Sequence, residues 1–185
     1  YADYHDSPKG KAQIGKIEIK TIPDMNTQVA ELFNGGLDFL WNVPADQAEK
    51  LAEMDDRFDV VNAQAIRIGY ITMDAAGAAD PDGPMTKKEV RQAIYHAIDR
   101  QAIVDALVKG SSEVINAGCA PIQFGCDLSV TTYDYDPEKA KALLAEAGYP
   151  DGFEIDFYAY RDRPYAEALM GMLNEIGIKT NFNYL

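Results

Sequence analysis

Apolar residues follow two different spacings along this chain, and the spacing predicts where helices and strands lie. The best-defined helix is predicted over 137–147, where four apolar residues fall at i, i+3, i+4 and i+7: Ala140, Leu143, Leu144 and Ala147. Asp136 suits the N-cap, because its carboxylate can accept hydrogen bonds from amides of the first turn. Pro137 suits the first helical position, which needs no amide donor. Gly148 suits the left-handed residue that ends the helix.

A strand, a helix and a second strand are predicted to follow. Apolar residues occupy every second position over 153–159, which is the period of a half-buried strand. The helical spacing returns after Pro164, with four apolar residues on the inner face: Ala166, Leu169, Met170 and Leu173. A final strand is predicted over 179–184. Such a βαβ unit is expected to have a right-handed crossover.

The N-terminal part of the chain is predicted to alternate strands and helices in the order β-α-β-α-β-β, which favours an α/β layer. The predicted helices are 23–34 and 44–54, and the predicted strands are 16–21, 37–41, 58–63 and 66–73. Residues 74–84 are rich in Ala, Gly, Asp and Pro, a composition that marks a break. This break predicts two domains, 1–73 and 74–185.

Two helices are predicted directly after the break. Thr86 and Glu89 suit a capping box, in which each side chain satisfies a backbone amide at the start of a helix. Asp99 suits the N-cap of a second helix that ends at Gly110.

The chain carries 30 acidic and 17 basic residues, a formal net charge of −13. This balance disfavours nucleic acid, because phosphate binding needs clustered Lys and Arg, and it disfavours anionic membrane surfaces. No stretch approaches the roughly 20 apolar residues that cross a bilayer, so no membrane insertion is expected. No signal peptide is visible, and the last predicted strand runs to the final residues, which we interpret as an excised segment of a longer protein.

Two places follow the carboxyl ends of predicted strands, where ligands tend to bind in open α/β sheets. Trp41 and Asn42 follow residues 37–40 of the second predicted strand, and Tyr160, Arg161 and Arg163 follow the strand at 153–159. An aromatic ring beside two guanidinium groups suits a carboxylate, which Arg can bind through two hydrogen bonds. The structural alternatives are an exposed loop with local ion pairs for the arginines, and burial under a helix for Trp41.

Three blocks of sequence resemble one bacterial family. The first is Asp-Pro-Glu-Lys-Ala at 136–140 with Leu-Leu-Ala-Glu-Ala-Gly-Tyr-Pro-Asp-Gly-Phe at 143–153. The second is the predicted helical block 90–104, and the third joins 22–27 with 35–39. Together they resemble the extracellular solute-binding proteins of peptide and nickel ABC importers.

This resemblance implies a type II periplasmic-binding-protein-like α/β fold of the peptide-binding class. The chain would be a fragment spanning part of lobe I, residues 1–73, and part of lobe II, residues 74–185. The implied protein is the monomeric, periplasmic or membrane-tethered substrate-binding component of an ABC importer. It would bind a peptide or similar small solute between its lobes and deliver it to the membrane permease, with no cofactor and no enzymatic activity. The alternatives left open are a ligand-sensing module of a regulator or receptor with the same fold, and an enzyme that uses paired carboxylates.

The two cysteines, Cys119 and Cys126, are separated by six residues that can close a small surface loop. Two cysteines alone form no zinc site, and neither histidine is near them in sequence, so no metal site is expected. The residues themselves leave a disulfide and two free thiols open. The exported location that the resemblance implies favours the disulfide.

Overall fold

The computed structural model describes residue 10 and residues 13–54, 56–63, 65–110 and 112–185. Packing within the chain divides it into two compact units, 1–58 and 59–185, and each is treated by itself below. The division predicted at 73–74 concerns the lobes of the resembled fold, and it stays a prediction.

The described residues of the first unit form two helices, α1 (Met25–Phe33) and α2 (Ala45–Ala52). α1 begins where the sequence predicts, because the Asp24 carboxylate accepts hydrogen bonds from the amide and the hydroxyl of Thr27, at 2.8 and 2.7 Å. Both helices predicted for this region are confirmed.

A small aromatic cluster stabilises the end of the first unit. The rings of Phe33 and Phe58 meet edge to face, with their centroids 5.1 Å apart. The guanidinium of Arg57 lies 5.1 Å from the Phe58 centroid, within the range of a cation–π interaction. It also donates to the Phe33 carbonyl at 3.1 Å, which ties the C-terminal end of α1 to residues 57–58.

The four strands predicted in the N-terminal part, 16–21, 37–41, 58–63 and 66–73, are wrong for this chain. None of these described residues pairs with a neighbouring strand. Their apolar side chains are largely exposed, with Ile19 at 89% and Tyr70 at 81%. Alternation favours an extended chain, but a strand forms only when its amides and carbonyls meet a partner. The predicted β-α-β-α-β-β order therefore does not form.

The second unit contains helices α3 (Lys88–Ala97), α4 (Arg100–Ile103) and α5 (Pro137–Glu146). α5 has the ends that its sequence predicts, because the Asp136 carboxylate accepts from the Lys139 amide at 2.9 Å. The helix ends before Gly148, whose φ of 91° lies in the left-handed region.

The capping box predicted at Thr86 and Glu89 is wrong. Pro84–Thr86 form a 3₁₀ turn, in which the Thr86 hydroxyl donates to the Gly83 carbonyl at 2.7 Å. α3 consequently starts one residue later, with Lys87 at the N-cap and no side-chain cap.

The helix predicted from Asp99 to Gly110 forms, but its hydrogen bonding changes partway. The Asp99 carboxylate accepts from the Ala102 amide at 2.9 Å and so caps α4 as predicted. Val104–Val108 then form a π-helical turn, which Lys109 ends with a φ of 57°.

The largest part of the core lies where α3 packs against α5. α3 contributes the buried apolar residues Val90, Ala93, Ile94 and Ala97. α5 contributes Ala140 and Leu144, which are 0% and 1% exposed. The core continues into the βαβ unit through three buried residues: Leu173, Ile176 and Ile178.

The C-terminal βαβ unit is confirmed. β1 (Phe153–Ala159) and β2 (Ile178–Tyr184) are parallel neighbours, in register from the pair Phe153 and Ile178 to the pair Ala159 and Tyr184. Side chains of β1 alternate between half-buried and exposed. The intervening helix is α6 (Arg163–Glu175). Because the strands are parallel, their carboxyl ends meet at one edge, which positions the residues that follow β1.

Cys119 and Cys126 are joined by a disulfide, with their Cα atoms 5.7 Å apart. Two backbone hydrogen bonds inside the loop, to the carbonyls of Ala120 and Gln123, turn the chain between the cysteines. Phe124 lies at the tip of this loop and is fully exposed.

Candidate functional site

The candidate site lies in the connection between β1 and α6. Tyr160, Arg161 and Asp162 follow the carboxyl end of β1, and Arg163 is the first residue of α6. The Tyr160 side chain is 71% exposed. The Leu185 amide donates to the Ala159 carbonyl at 2.9 Å, so the end of β2 lies beside the start of this connection. Strand ends beside a helix N-terminus form the position at which α/β sheets commonly bind ligands.

The structure distinguishes the two predicted arginines. The Nε of Arg163 donates to Oε1 of Glu167 at 2.7 Å, one helical turn away. Its guanidinium also lies 5.6 Å from the ring centroid of Phe182 and 5.7 Å from that of Tyr184. Arg163 is therefore held by groups of its own unit, which matches the alternative of local ion pairs for this residue.

Arg161 contacts an aromatic ring but has no ion-pair partner among the described residues. Its guanidinium lies 5.6 Å from the Tyr160 ring centroid, within cation–π range. Among the described residues it makes no hydrogen bond or ion pair. The planar guanidinium carries five N–H donors, so Arg161 can bind a carboxylate through two parallel hydrogen bonds.

Asp162 connects this turn to a residue that the sequence prediction missed. Oδ2 of Asp162 accepts from a terminal nitrogen of Arg67 at 3.0 Å, across 95 positions of sequence. Asp162 has φ 53° and ψ 49°, the left-handed conformation, and its side chain makes no capping bond to α6. No local pattern reveals this pair, because the two residues meet only in the folded chain.

Trp41 and Asn42 belong to the first unit. Trp41 is 69% exposed, so the alternative of burial under a helix is wrong. Asn42 has a φ of 57°, which Asn tolerates better than most residues. The strand predicted before them is not formed. The expectation that ligands bind at the carboxyl ends of strands therefore does not apply to these two residues. Their role in ligand binding stays a prediction.

Two shallow depressions occur elsewhere in the described residues. The first, of about 230 Å³, lies in the second unit and is lined by Lys88, Arg91, Gln92, Tyr95 and Tyr133. The second, of about 410 Å³, lies in the first unit beside the Phe33–Phe58 pair. Neither depression is lined by Tyr160 or Arg161.

The carboxylate of Asp74 is bound by backbone amides of its own loop. The amides of Ala78 and Ala79 each donate to it at 2.8 Å, and the amide of Asp80 donates at 3.4 Å. These hydrogen bonds favour the ionised form, so the pKa of Asp74 lies below its ordinary value of 3.8.

The described parts of the chain carry neither a metal cluster nor a membrane-spanning helix. There, no group of three or more His, Cys, Asp or Glu side chains could hold a metal ion. No helix in those same parts combines the length and the apolar character needed to span a bilayer.

Comparison with known proteins identifies the class. Heme-binding protein A of Haemophilus influenzae is 33% identical over 98% of this chain and 34% of its own length. The glutathione-binding protein GsiB of Salmonella choleraesuis is 31% identical over 92% of this chain and 33% of its own length. The solved oligopeptide-binding protein AppA of Bacillus subtilis, in complex with a nonapeptide, superposes with a TM-score of 0.67. The sequence identity to AppA is 27%, and the match covers 89% of this chain and 35% of the AppA chain.

These comparisons place the chain in a family of solute-binding proteins that have a periplasmic-binding-protein fold. The model of the bacterial extracellular solute-binding proteins, family 5, middle part, matches residues 1–185, and the chain belongs to this family. The chain spans about a third of the length of the relatives that it matches. The recognition of the family and of its fold class from the sequence is thereby confirmed.

Proposed function

We propose that this chain is part of the substrate-binding component of a bacterial ABC importer, which binds a solute bearing a free carboxylate. The observation that carries the proposal is Arg161, an exposed guanidinium beside the Tyr160 ring with no partner among the described residues. A carboxylate meets the donors of Arg161, and a flat or apolar part of the same solute meets the ring.

The ligands named for the relatives are consistent with this chemistry. They are heme, glutathione and a nonapeptide. Each of these molecules carries at least one carboxylate beside a less polar body. A peptide or similar small solute therefore fits the proposed site, and the relatives favour solute binding for import over the sensing module.

The proposed mechanism is a hinged one in the whole protein. Solute binds between two lobes, their closure excludes water, and the closed form presents the solute to the permease in the membrane. Residues 74–185 contribute Tyr160 and Arg161 from the second lobe, and Trp41 and Asn42 are the candidates from residues 1–73. Arg163 supports the turn instead of contacting solute. No bond is made or broken, and the protein acts as a monomer in the periplasm or on the outer face of the membrane.

A thermal-shift screen of the whole protein tests this proposal. The panel contains glutathione, di- and tripeptides, heme, and the same peptides with amidated C-termini. A ligand at a hundredfold excess over its Kd stabilises the folded state by about 2.7 kcal/mol. We expect at least one free acid to raise the Tm while its amide does not. Amidated peptides that raise the Tm as much as their free acids would contradict the proposed ligand class.

A further inference from the structure

Three consecutive charged residues lie at the connection from β1 to α6. Asp162 lies between Arg161 and Arg163, so its carboxylate has a cationic neighbour on each side along the chain. The carboxylate of an N-cap Asp ordinarily accepts from amides of the first helical turn, but the Asp162 side chain makes no such bond. Its carboxylate is instead bound to Arg67 at 3.0 Å.

The carboxylates near this connection each have an ion-pair partner. Glu167 binds Arg163 at 2.7 Å, and Arg67 binds Asp162. The cluster therefore contains three arginines and two carboxylates, and each carboxylate is occupied by an arginine other than Arg161. Both ion pairs are substantially exposed, with the Arg67 side chain at 64% and the Asp162 side chain at 44%. Exposed ion pairs contribute little to the free energy of unfolding. We therefore expect the Arg67–Asp162 pair to affect mainly the positions of the side chains around it.

Asp162 has two cationic chain neighbours, and Arg163 is already paired with Glu167. Without Arg67, Arg161 is therefore the chain neighbour whose guanidinium is open to the Asp162 carboxylate. A carboxylate bound there would occupy the donors that a solute carboxylate needs, and the solute would have to displace it. We infer that Arg67 is a positioning residue of the solute site: it holds the Asp162 carboxylate away from Arg161 and so keeps the Arg161 guanidinium open. The inference rests on the proposed function where it concerns the solute, and on the ion pairs alone where it concerns Arg161.

The first test measures the affinity of the whole protein for a free-acid peptide that shifts its Tm. Arg67→Ala is expected to weaken binding about three- to tenfold, because Asp162 then competes for Arg161. Asp162→Asn removes the competing charge, and Asn tolerates the left-handed conformation at this position. The double variant Arg67→Ala/Asp162→Asn is therefore expected to bind within twofold of the original protein.

This rescue separates the inference from a general structural role. If the double variant binds as weakly as Arg67→Ala, Arg67 acts in some other way and the inference is wrong. Unchanged affinity in Arg67→Ala overturns it as well. Lys141→Ala is the matched control, because it breaks another exposed ion pair, to Glu138 at 2.9 Å, and should change nothing.

A second test needs no solute. Phenylglyoxal modifies free guanidinium groups, and peptide mapping reports the rate at each arginine. Labelling of Arg161 should slow about two- to fivefold in Arg67→Ala and recover in the double variant, while labelling of Arg163 stays constant. Constant labelling of Arg161 in all variants overturns the inference. If labelling follows the expected pattern but Arg161→Gln leaves affinity unchanged, the inference about the ion pairs stands and the proposed role of Arg161 in solute binding fails.

Discussion

The backbones of Gly152 and Gly177 lie in close contact, each directly before the start of a strand. A Cβ atom on Gly152 would overlap the Gly177 carbonyl, and Gly152 also has a φ of 77°, which disfavours other residues. The same carbonyl accepts from the Phe153 amide at 3.3 Å, so this close approach starts the pairing of β1 with β2. Gly152→Ala is therefore expected to lower the free energy of unfolding by at least about 2 kcal/mol.

Gly171 provides the matched control for that substitution. It lies within α6, and nothing would meet a Cβ atom there within 4 Å. Gly171→Ala should raise the free energy of unfolding by about 0.5–1 kcal/mol, because Ala loses less conformational entropy in a helix. Urea unfolding curves of both variants measure the difference. Equal effects of the two substitutions would contradict the contact between the strands.

Adjacent leucines of α5 should differ in their contribution to stability. Leu144 is 1% exposed inside the core, whereas Leu143 is only partly buried against it. Leu144→Ala should cost about 3–5 kcal/mol, because the cavity that it leaves is enclosed. Leu143→Ala should cost about 1–2 kcal/mol, since solvent reaches part of the site. A larger loss at Leu143 in chemical denaturation would mean that α5 is rotated from this position.

The loop hydrogen bonds to Asp74 predict a dependence of stability on pH. Amides of Ala79 and Ala78 lower the pKa of Asp74 below its ordinary 3.8 in the folded state. The unfolded chain therefore binds a proton first as the pH falls, so this contribution is complete above about pH 4 and is lost as the pH falls through the folded pKa. Asp74→Asn should reduce the loss of Tm as the pH falls below about 4. Superimposable Tm profiles for the two proteins would contradict the loop geometry.

The disulfide between Cys119 and Cys126 predicts both a thiol count and a stability change. Denatured protein without reductant should react with no thiol reagent, and reduced protein should show both cysteines. Cys119→Ser/Cys126→Ser should lower the free energy of unfolding by about 2–3 kcal/mol, because the short loop gains freedom in the unfolded state. Two reactive thiols before reduction would reject the bond.

Elements that depend on neighbours in sequence could be predicted, and elements that depend on distant partners could not. α5 has its cap, its stripe and its terminal glycine within a dozen residues, so its sequence determines both ends. The segment around Ile17 and Ile19 has a strand period, but no neighbouring strand pairs with it among the described residues. Thr86 fits a capping box by spacing, yet the 3₁₀ turn at Pro84 engages its hydroxyl first.

The candidate site shows the same division. Position after a strand and before a helix was enough to select Tyr160, Arg161 and Arg163. Arg163 is engaged by Glu167 and by two aromatic rings of β2, whereas Arg161 is left without an ion pair among the described residues. The spacing of residues in the sequence does not reveal these contacts. Arg67 was missed because its partner Asp162 lies 95 residues away.

The most direct test of the central claim measures the affinity of the whole protein for one peptide as the free acid and as the C-terminal amide. Isothermal titration of Arg161→Gln and Arg163→Gln beside the original protein gives the comparison. The account predicts that Arg161→Gln weakens the free acid about ten- to a hundredfold, as expected for a charge-assisted hydrogen bond, and leaves the amide unchanged. Arg163→Gln should change both by less than about threefold, since its guanidinium is engaged by Glu167 and the β2 rings. Equal affinity of the original protein and Arg161→Gln for the free acid would contradict the claim.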